Sequence, residues 1–262
     1  RNRHFDQFTR EYIGVRKAEG RGSNDSTFYC SLPHKDLSGR HSEDWRIRSI
    51  SYQKLIDRLQ FQGKSEEGRA PRVLDLGAGN GWLSYRLTTH GHQTVAVDLL
   101  TNKADGLGAQ LHYPTAFTSV QAEFDHLPFD LDQFGLIIFN ASFHYATNYE
   151  LTLSEALRVL ESGGRVVVMD SPVYRNGSSG EKMVRERETT FYDKYGFASN
   201  SLPNENFLTY DRLRDLADRL SLSWEFIRPF YGFRWALRPW RARLLGRREP
   251  ASFLLIVGTA KE

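Results

Sequence analysis

The chain has 262 residues with 40% apolar, 13% aromatic and 26% charged side chains, an ordinary globular mix. That composition excludes a disordered chain, a collagen-like repeat and a disulfide scaffold, since Cys30 is the only cysteine. The net charge of +3 hides a division. Residues 1–72 carry +5, residues 73–171 carry −7 and residues 172–260 carry +5. An acidic middle suits a cationic ligand, and the basic ends suit an anionic partner or plain solvation.

Residues 1–27 are polar and interrupted by Gly14, Gly20 and Gly22, so a loose arm with at most one short helix is expected. Residues 42–62 carry Ile47, Ile50, Leu55, Ile56 and Leu59 at helical spacing, and Gly63 to Pro71 is a polar linker. From residue 72 the texture changes. Short apolar strands are expected at 72–76, 94–98, 119–123, 134–140 and 165–170, alternating with helices at 82–90, 102–111 and 151–160. Later come helices near 181–195 and 210–220 and strands at 223–227 and 253–259. Such alternation predicts an α/β, Rossmann-like, doubly wound and mostly parallel sheet. No apolar run is long enough to span a bilayer, the opening residues Arg1 to His4 are polar, and a cytoplasmic location is expected.

The first strand runs into Gly77-Ala78-Gly79-Asn80-Gly81. Glycines there let the backbone approach a ligand beyond the carboxyl ends of the strands. The dinucleotide pattern needs a glycine at position 82, which is Trp82, so a nicotinamide oxidoreductase is disfavoured. Asp75 beside the loop suits an ammonium or sulfonium group better than a pyrophosphate. Asp98 ends the second strand, where a carboxylate can accept from both hydroxyls of a ribose.

The segment Val73 to Gly81 closely resembles motif I of class I S-adenosylmethionine-dependent methyltransferases. Val95–Leu99, Ala122–Phe129, Phe134–Tyr145 and Ala156–Arg165 are similar to that family's later segments in the same order. Glu123 stands where Asp is usual, and Gly135 where Asp is common. The resemblance implies a seven-stranded sheet with S-adenosylmethionine as cofactor. It implies that Gly77, Gly79 and Gly81 line the methionine part and that Asp75 helps hold its amino group. It places the ribose on Asp98, the adenine against Leu99, Glu123 and Phe124, and Asn140 near the methionine end.

Methyl transfer to a hydroxyl or amine releases a proton, and His144, after the fourth strand, is the candidate base. Tyr145 and Tyr149 are candidates for holding the acceptor, with Asp170 as a further strand-end acid. Tyr29, Arg48 and Tyr52 could close over the cofactor, an arginine meeting its carboxylate. The other histidines show no metal-ligand spacing, so no metal is expected. Residues 1–71 read as an N-terminal arm and helical cap, and residues 72–262 as the cofactor-binding domain with lid insertions at about 172–209 and 228–250.

Residues 228–248 hold seven arginines and no acid, with Phe233, Leu237, Trp240 and Leu244 at helical spacing. A helix packed on the core with snorkelling arginines is the first reading. Peripheral contact with an anionic membrane surface is the second, and nucleic acid ranks last. The expected function is methyl transfer to a small-molecule or lipid-linked acceptor. A non-catalytic S-adenosylmethionine-binding protein is the alternative.

Overall fold

The computed structural model describes residues 2–61, 71–199 and 202–261. The linker expected at 63–71 lies almost wholly outside the described residues. Three helices come first: α1 (Asn2–Ala18), α2 (Ser26–Ser31) and α3 (Ser42–Phe61). Then follow β1 (Val73–Leu76), α4 (Trp82–Thr89), β2 (Thr94–Asp98), β3 (Thr118–Gln121), β4 (Phe134–Asn140), α5 (Tyr149–Val159) and β5 (Leu160–Met169). The chain continues through β6 (Val173–Tyr174), α6 (Gly177–Tyr195), β7 (Leu208–Thr209), α7 (Tyr210–Arg219) and β8 (Leu222–Ile227). It ends with α8 (Phe233–Ala236), α9 (Arg238–Leu244) and β9 (Leu255–Ala260).

Seven strands form one sheet in the order β3-β2-β1-β4-β5-β9-β8. Neighbours from β3 to β5 pair in parallel, and β9 runs antiparallel to both β5 and β8. Parallel strands covered on both faces read as continuous apolar runs, because either side of the pleat is buried. Here the alternation sorts side chains between two cores. Leu74, Leu76, Phe139, Val166 and Val168 pack with α5 and α7 through Leu153, Ala156, Leu213 and Leu216. Val73, Ile138, Val167 and Met169 face the other way, toward Leu55, Ile56, Leu83 and Leu87 of α3 and α4. The N-terminal helices therefore share a core with the sheet. The same alternation sends Asp75 to the α4 face, where Ser84 donates to its Oδ2 at 2.7 Å.

Four expectations need correction. Residues 1–27 are not a loose arm, because α1 is a helix of 17 residues. Its inward positions Phe8 and Val15 are buried, with Tyr12 and Arg16 half-buried beside them. The helix expected at 102–111 is a 3₁₀ turn over Leu107–His112. Added β-carbons on Gly106 and Gly108 would meet backbone atoms of Leu100 and Thr101 at 2.6 Å, so close chain approach sets this segment. The insertion after β5 is tied down by an unforeseen two-stranded sheet, with Val173 opposite Leu208 and Tyr174 opposite Thr209. Lastly, the helix read as packed on the core turns its apolar residues outward. Phe233 is 79% exposed, Leu237 55%, Trp240 69% and Leu244 84%.

Candidate functional site

The chain leaves β1 through a bend in which Gly77, Gly79 and Gly81 all have positive φ, at 76°, 55° and 77°. Two of these glycines are required by the protein's own packing. A β-carbon on Gly77 would lie 2.3 Å from Cβ of Ser142, and one on Gly81 would lie 2.5 Å from Cζ of Phe117. Gly79 differs. Its nearest neighbour in that direction is the Asp105 carbonyl oxygen at 3.7 Å, so the missing side chain leaves room.

That room belongs to a cavity over the carboxyl ends of β1, β2 and β4. Gly77, Gly79, Asp98, Leu99, Phe124 and Asn140 line it, as do Glu123 and Tyr145. Asp98 ties the cavity floor together. Its Oδ2 accepts from the Gly79 amide at 2.7 Å and its Oδ1 from the Leu100 amide at 2.8 Å. Burial pushes its pKa up to about 6, against the opposing pull of those amides. Asp75 lies behind the loop, fully buried, with Oδ1 lacking a hydrogen-bond partner. Burial raises its pKa to about 7. Asn140 also has a buried side-chain oxygen without a partner.

Not every anticipated residue reaches this cavity. Gly81 and Asp75 sit just outside its lining. Tyr149 is buried and donates to the Phe207 carbonyl at 2.9 Å, away from the cavity. Tyr29 donates to the carbonyls of Ser23 and Ala104, and Tyr52 packs edge-on against Trp82. Of that trio, Arg48 alone lines the cavity.

His144 opens instead onto a second cavity, which shares Tyr12, Arg16, Arg48, Ala141 and Tyr145 with the first. Its Nδ1 lies 3.1 Å from Ser171 Oγ. Its pKa is pushed down to about 3 by burial, then by the charges of Arg187 and Arg48, so the ring is neutral across the physiological range. Asp170 lines the same cavity. It accepts from Ser51 Oγ and keeps a buried, unpartnered Oδ2, and burial raises its pKa.

Residues of α1 were missed as site residues. Phe8, Tyr12 and Arg16 form one wall of the first cavity, and Arg16 is held by an ion pair to Asp105. The available signal was the spacing of Phe8, Tyr12 and Val15, which puts them on one helical face. Among the described residues no cluster of metal-ligating side chains occurs.

Residues 74–168 match the family model described as a methyltransferase domain. They belong to the class I S-adenosylmethionine-dependent methyltransferase family. The chain is 32% identical over 99 residues to a demethylmenaquinone methyltransferase of Clavibacter sepedonicus, covering 38% of this chain and 40% of the relative. It is 32% identical over 104 residues to a malonyl-[acyl-carrier protein] O-methyltransferase of Erwinia pyrifoliae, covering 38% of this chain and 37% of the relative. The matched part thus spans about two fifths of these relatives' lengths. The YcgJ protein of Bacillus subtilis shares the fold with a TM-score of 0.56 at 16% identity, over 81% of this chain and 98% of that one.

The cofactor of this methyltransferase family is S-adenosylmethionine, and the residues present fit it. The open side of Gly79 leaves space for close approach. Asp98 sits at the end of β2 on the cavity floor. Asn140, on the lining, has an unpartnered oxygen suited to an ammonium group, and the Asp75 carboxyl behind the loop adds an acidic group next to it.

Proposed function

We propose that the protein transfers a methyl group from S-adenosylmethionine to a small-molecule acceptor bound in the second cavity. The observation supporting this most is the junction of the two cavities, whose shared wall includes Ala141 and Tyr145 at the end of β4. A reaction that joins two ligands by in-line displacement needs such a junction, because positioning is the main contribution asked of the protein.

In this reading Gly77 and Gly79 receive the methionine part, with Gly81 setting the turn into α4. Asp98 accepts from the ribose hydroxyls. Leu99, Glu123 and Phe124 surround the adenine, and Arg48 meets the carboxylate. Asn140 accepts from the amino group, and Asp75, behind the loop, helps hold it through its charge. The cofactor supplies an electrophilic methyl group on a sulfonium leaving group. Tyr145 positions the acceptor, whereas Tyr149 acts from the core by fixing the segment that follows β4. His144 accepts the acceptor's proton. An acceptor oxygen turns strongly acidic as it gains a methyl group, so a weakly basic imidazole suffices.

Calorimetry in buffers of different ionisation enthalpy tests the cofactor half. Asp75 has a pKa of about 7 instead of the ordinary 3.8. It is therefore largely protonated at pH 6, and a cationic amino group beside it favours ionisation. Binding at pH 6–6.5 should release a fraction of a proton, and Asp75→Asn should reduce that release. Without ligand, wild-type stability relative to this variant should fall from about pH 4 to about pH 7. Over that interval the folded carboxyl keeps a proton that the unfolded one has lost. Unchanged proton release in the variant would remove Asp75 from the binding account.

The exposed apolar side of α8 and α9 supports a second element of function, peripheral contact with an anionic membrane surface. Phe230, Phe233, Leu237, Trp240 and Leu244 are exposed, and Arg234, Arg241, Arg243 and Arg247 stand exposed among them. Apolar groups that enter the interface beside arginines facing lipid phosphates give this kind of binding. None of the described helices is long and apolar enough to cross a membrane. Sedimentation with phosphatidylglycerol vesicles should capture the protein, and pure phosphatidylcholine should capture far less. Replacing Trp240 and Leu244 by Ala should weaken capture at least about tenfold, since each buried side chain contributes about 1.5–3 kcal/mol. Equal capture of the variant would exclude α9 as the contact.

A further inference from the structure

We infer that the second cavity selects an acceptor bearing an anionic group, carboxylate or phosphate, which Arg187 and Arg238 receive. This rests on the cavity being the acceptor site and names the class of acceptor.

Six arginines line the cavity, and their partners divide them. Arg16 is paired with Asp105, Arg21 with Glu19 and Asp44, and Arg248 with Glu186. Arg48, Arg187 and Arg238 form no ion pair among the described residues. Arg48 stacks on Trp45 at the wall shared with the cofactor cavity. Arg187 and Arg238 belong to the second cavity and not to the first.

Both are incompletely satisfied. Arg187 donates from Nη2 to Asn206 Oδ1 at 2.9 Å, but its Nε is buried without a partner. Arg238 lies with its guanidinium 3.8 Å from the centre of the Trp235 ring, and its Nη1 is likewise buried and unpartnered. Burial and the neighbouring Arg248 depress the pKa of Arg238, so its charge is under-compensated. Buried guanidinium N–H groups are costly unless an acceptor meets them, and a planar anion is the natural complement. The facing carboxylates do not fill the role. Glu19 and Asp44 are engaged by Arg21, and Asp170, which accepts from Ser51 and keeps an unpartnered Oδ2, forms no ion pair with Arg187 or Arg238 among the described residues.

The remaining lining sets the rest of the ligand. Tyr174, Met183, Phe191 and Phe253 give the cavity an apolar side beside the arginines. An acceptor with an apolar or aromatic body and one anionic end fits both. Seating that anion also screens Arg187 from His144, relieving one of the charges that hold the imidazole unprotonated.

The test uses the full chain saturated with S-adenosylhomocysteine and three probes: benzoate, phenyl phosphate and neutral benzamide. Calorimetry should show one or both anions binding at least about tenfold more tightly than benzamide, the stronger one identifying carboxylate or phosphate as the preferred group. Arg187→Gln should cost at least about tenfold in anion affinity while leaving benzamide binding and S-adenosylhomocysteine affinity within about twofold. Arg238→Gln should give the same pattern. Equal binding of anions and benzamide, or unchanged anion affinity in both variants, would overturn the inference. Failure of the wild-type chain to bind S-adenosylhomocysteine would instead overturn the reading on which it rests.

Discussion

Asp98→Ala should lower the affinity for S-adenosylhomocysteine at least about 100-fold, the largest single loss expected in the cofactor cavity. The carboxylate has two tasks. It anchors the glycine loop through the Gly79 amide and the following segment through the Leu100 amide. It also lines the cavity, where the proposed reading puts the two ribose hydroxyls. Each hydrogen bond to a charged group contributes about 1.5–3 kcal/mol, so losing two accounts for about 100-fold or more. Asp98→Asn should be nearly as harmful, because an amide cannot accept on both sides and one of the two backbone N–H groups would face an NH₂. Calorimetric titration with a parallel thermal melt checks both variants. Affinity within about threefold of wild type would contradict the ribose role.

The second large effect separates Gly77 from Gly79, two glycines of the same loop with different surroundings. Gly77→Ala should destabilise the protein by about 2–5 kcal/mol. The new methyl group would overlap Ser142, and Ser142 cannot withdraw, because its hydroxyl donates to the Leu76 carbonyl. Overpacking costs about 1–3 kcal/mol, and a left-handed conformation at a non-glycine residue costs about 1–2 more. Gly79→Ala meets only the Asp105 carbonyl oxygen at 3.7 Å, so it should cost only the conformational part, about 1–2 kcal/mol. Its methyl group would instead occupy space assigned to the ligand, and S-adenosylhomocysteine affinity should fall at least about tenfold. Urea denaturation and calorimetry on the two variants separate packing from binding. A Gly79→Ala protein with intact affinity would show that nothing approaches the loop there.

The strand pattern of the sheet was legible because parallel strands buried on both faces read as near-continuous apolar runs, as Phe134–Asn140 does up to Asn140 and Val73–Leu76 does apart from Asp75. The cavity floor was legible for a similar reason. Gly77, Gly79 and Asp98 stand at strand ends, where topology alone decides their place. What sequence did not disclose was contributed across the chain. The wall made by Phe8, Tyr12 and Arg16 depends on α1 folding back over β1 and β2, and its polar outer positions masked the helical stripe. The outward turn of Phe233, Leu237, Trp240 and Leu244 was illegible because periodicity defines a face without saying what covers it. His144 could be placed after β4, but its opening onto the second cavity depends on α6 and the segment that precedes β9, far away in sequence.

In the proposed function the bend after β1 holds a sulfonium nucleoside. Titrating the wild-type chain with S-adenosylmethionine and, separately, with NAD tests it most directly. The structure predicts saturable one-to-one binding of S-adenosylmethionine, with no heat from NAD at the same concentrations. Binding of NAD, or no binding of S-adenosylmethionine to a folded protein, would contradict it.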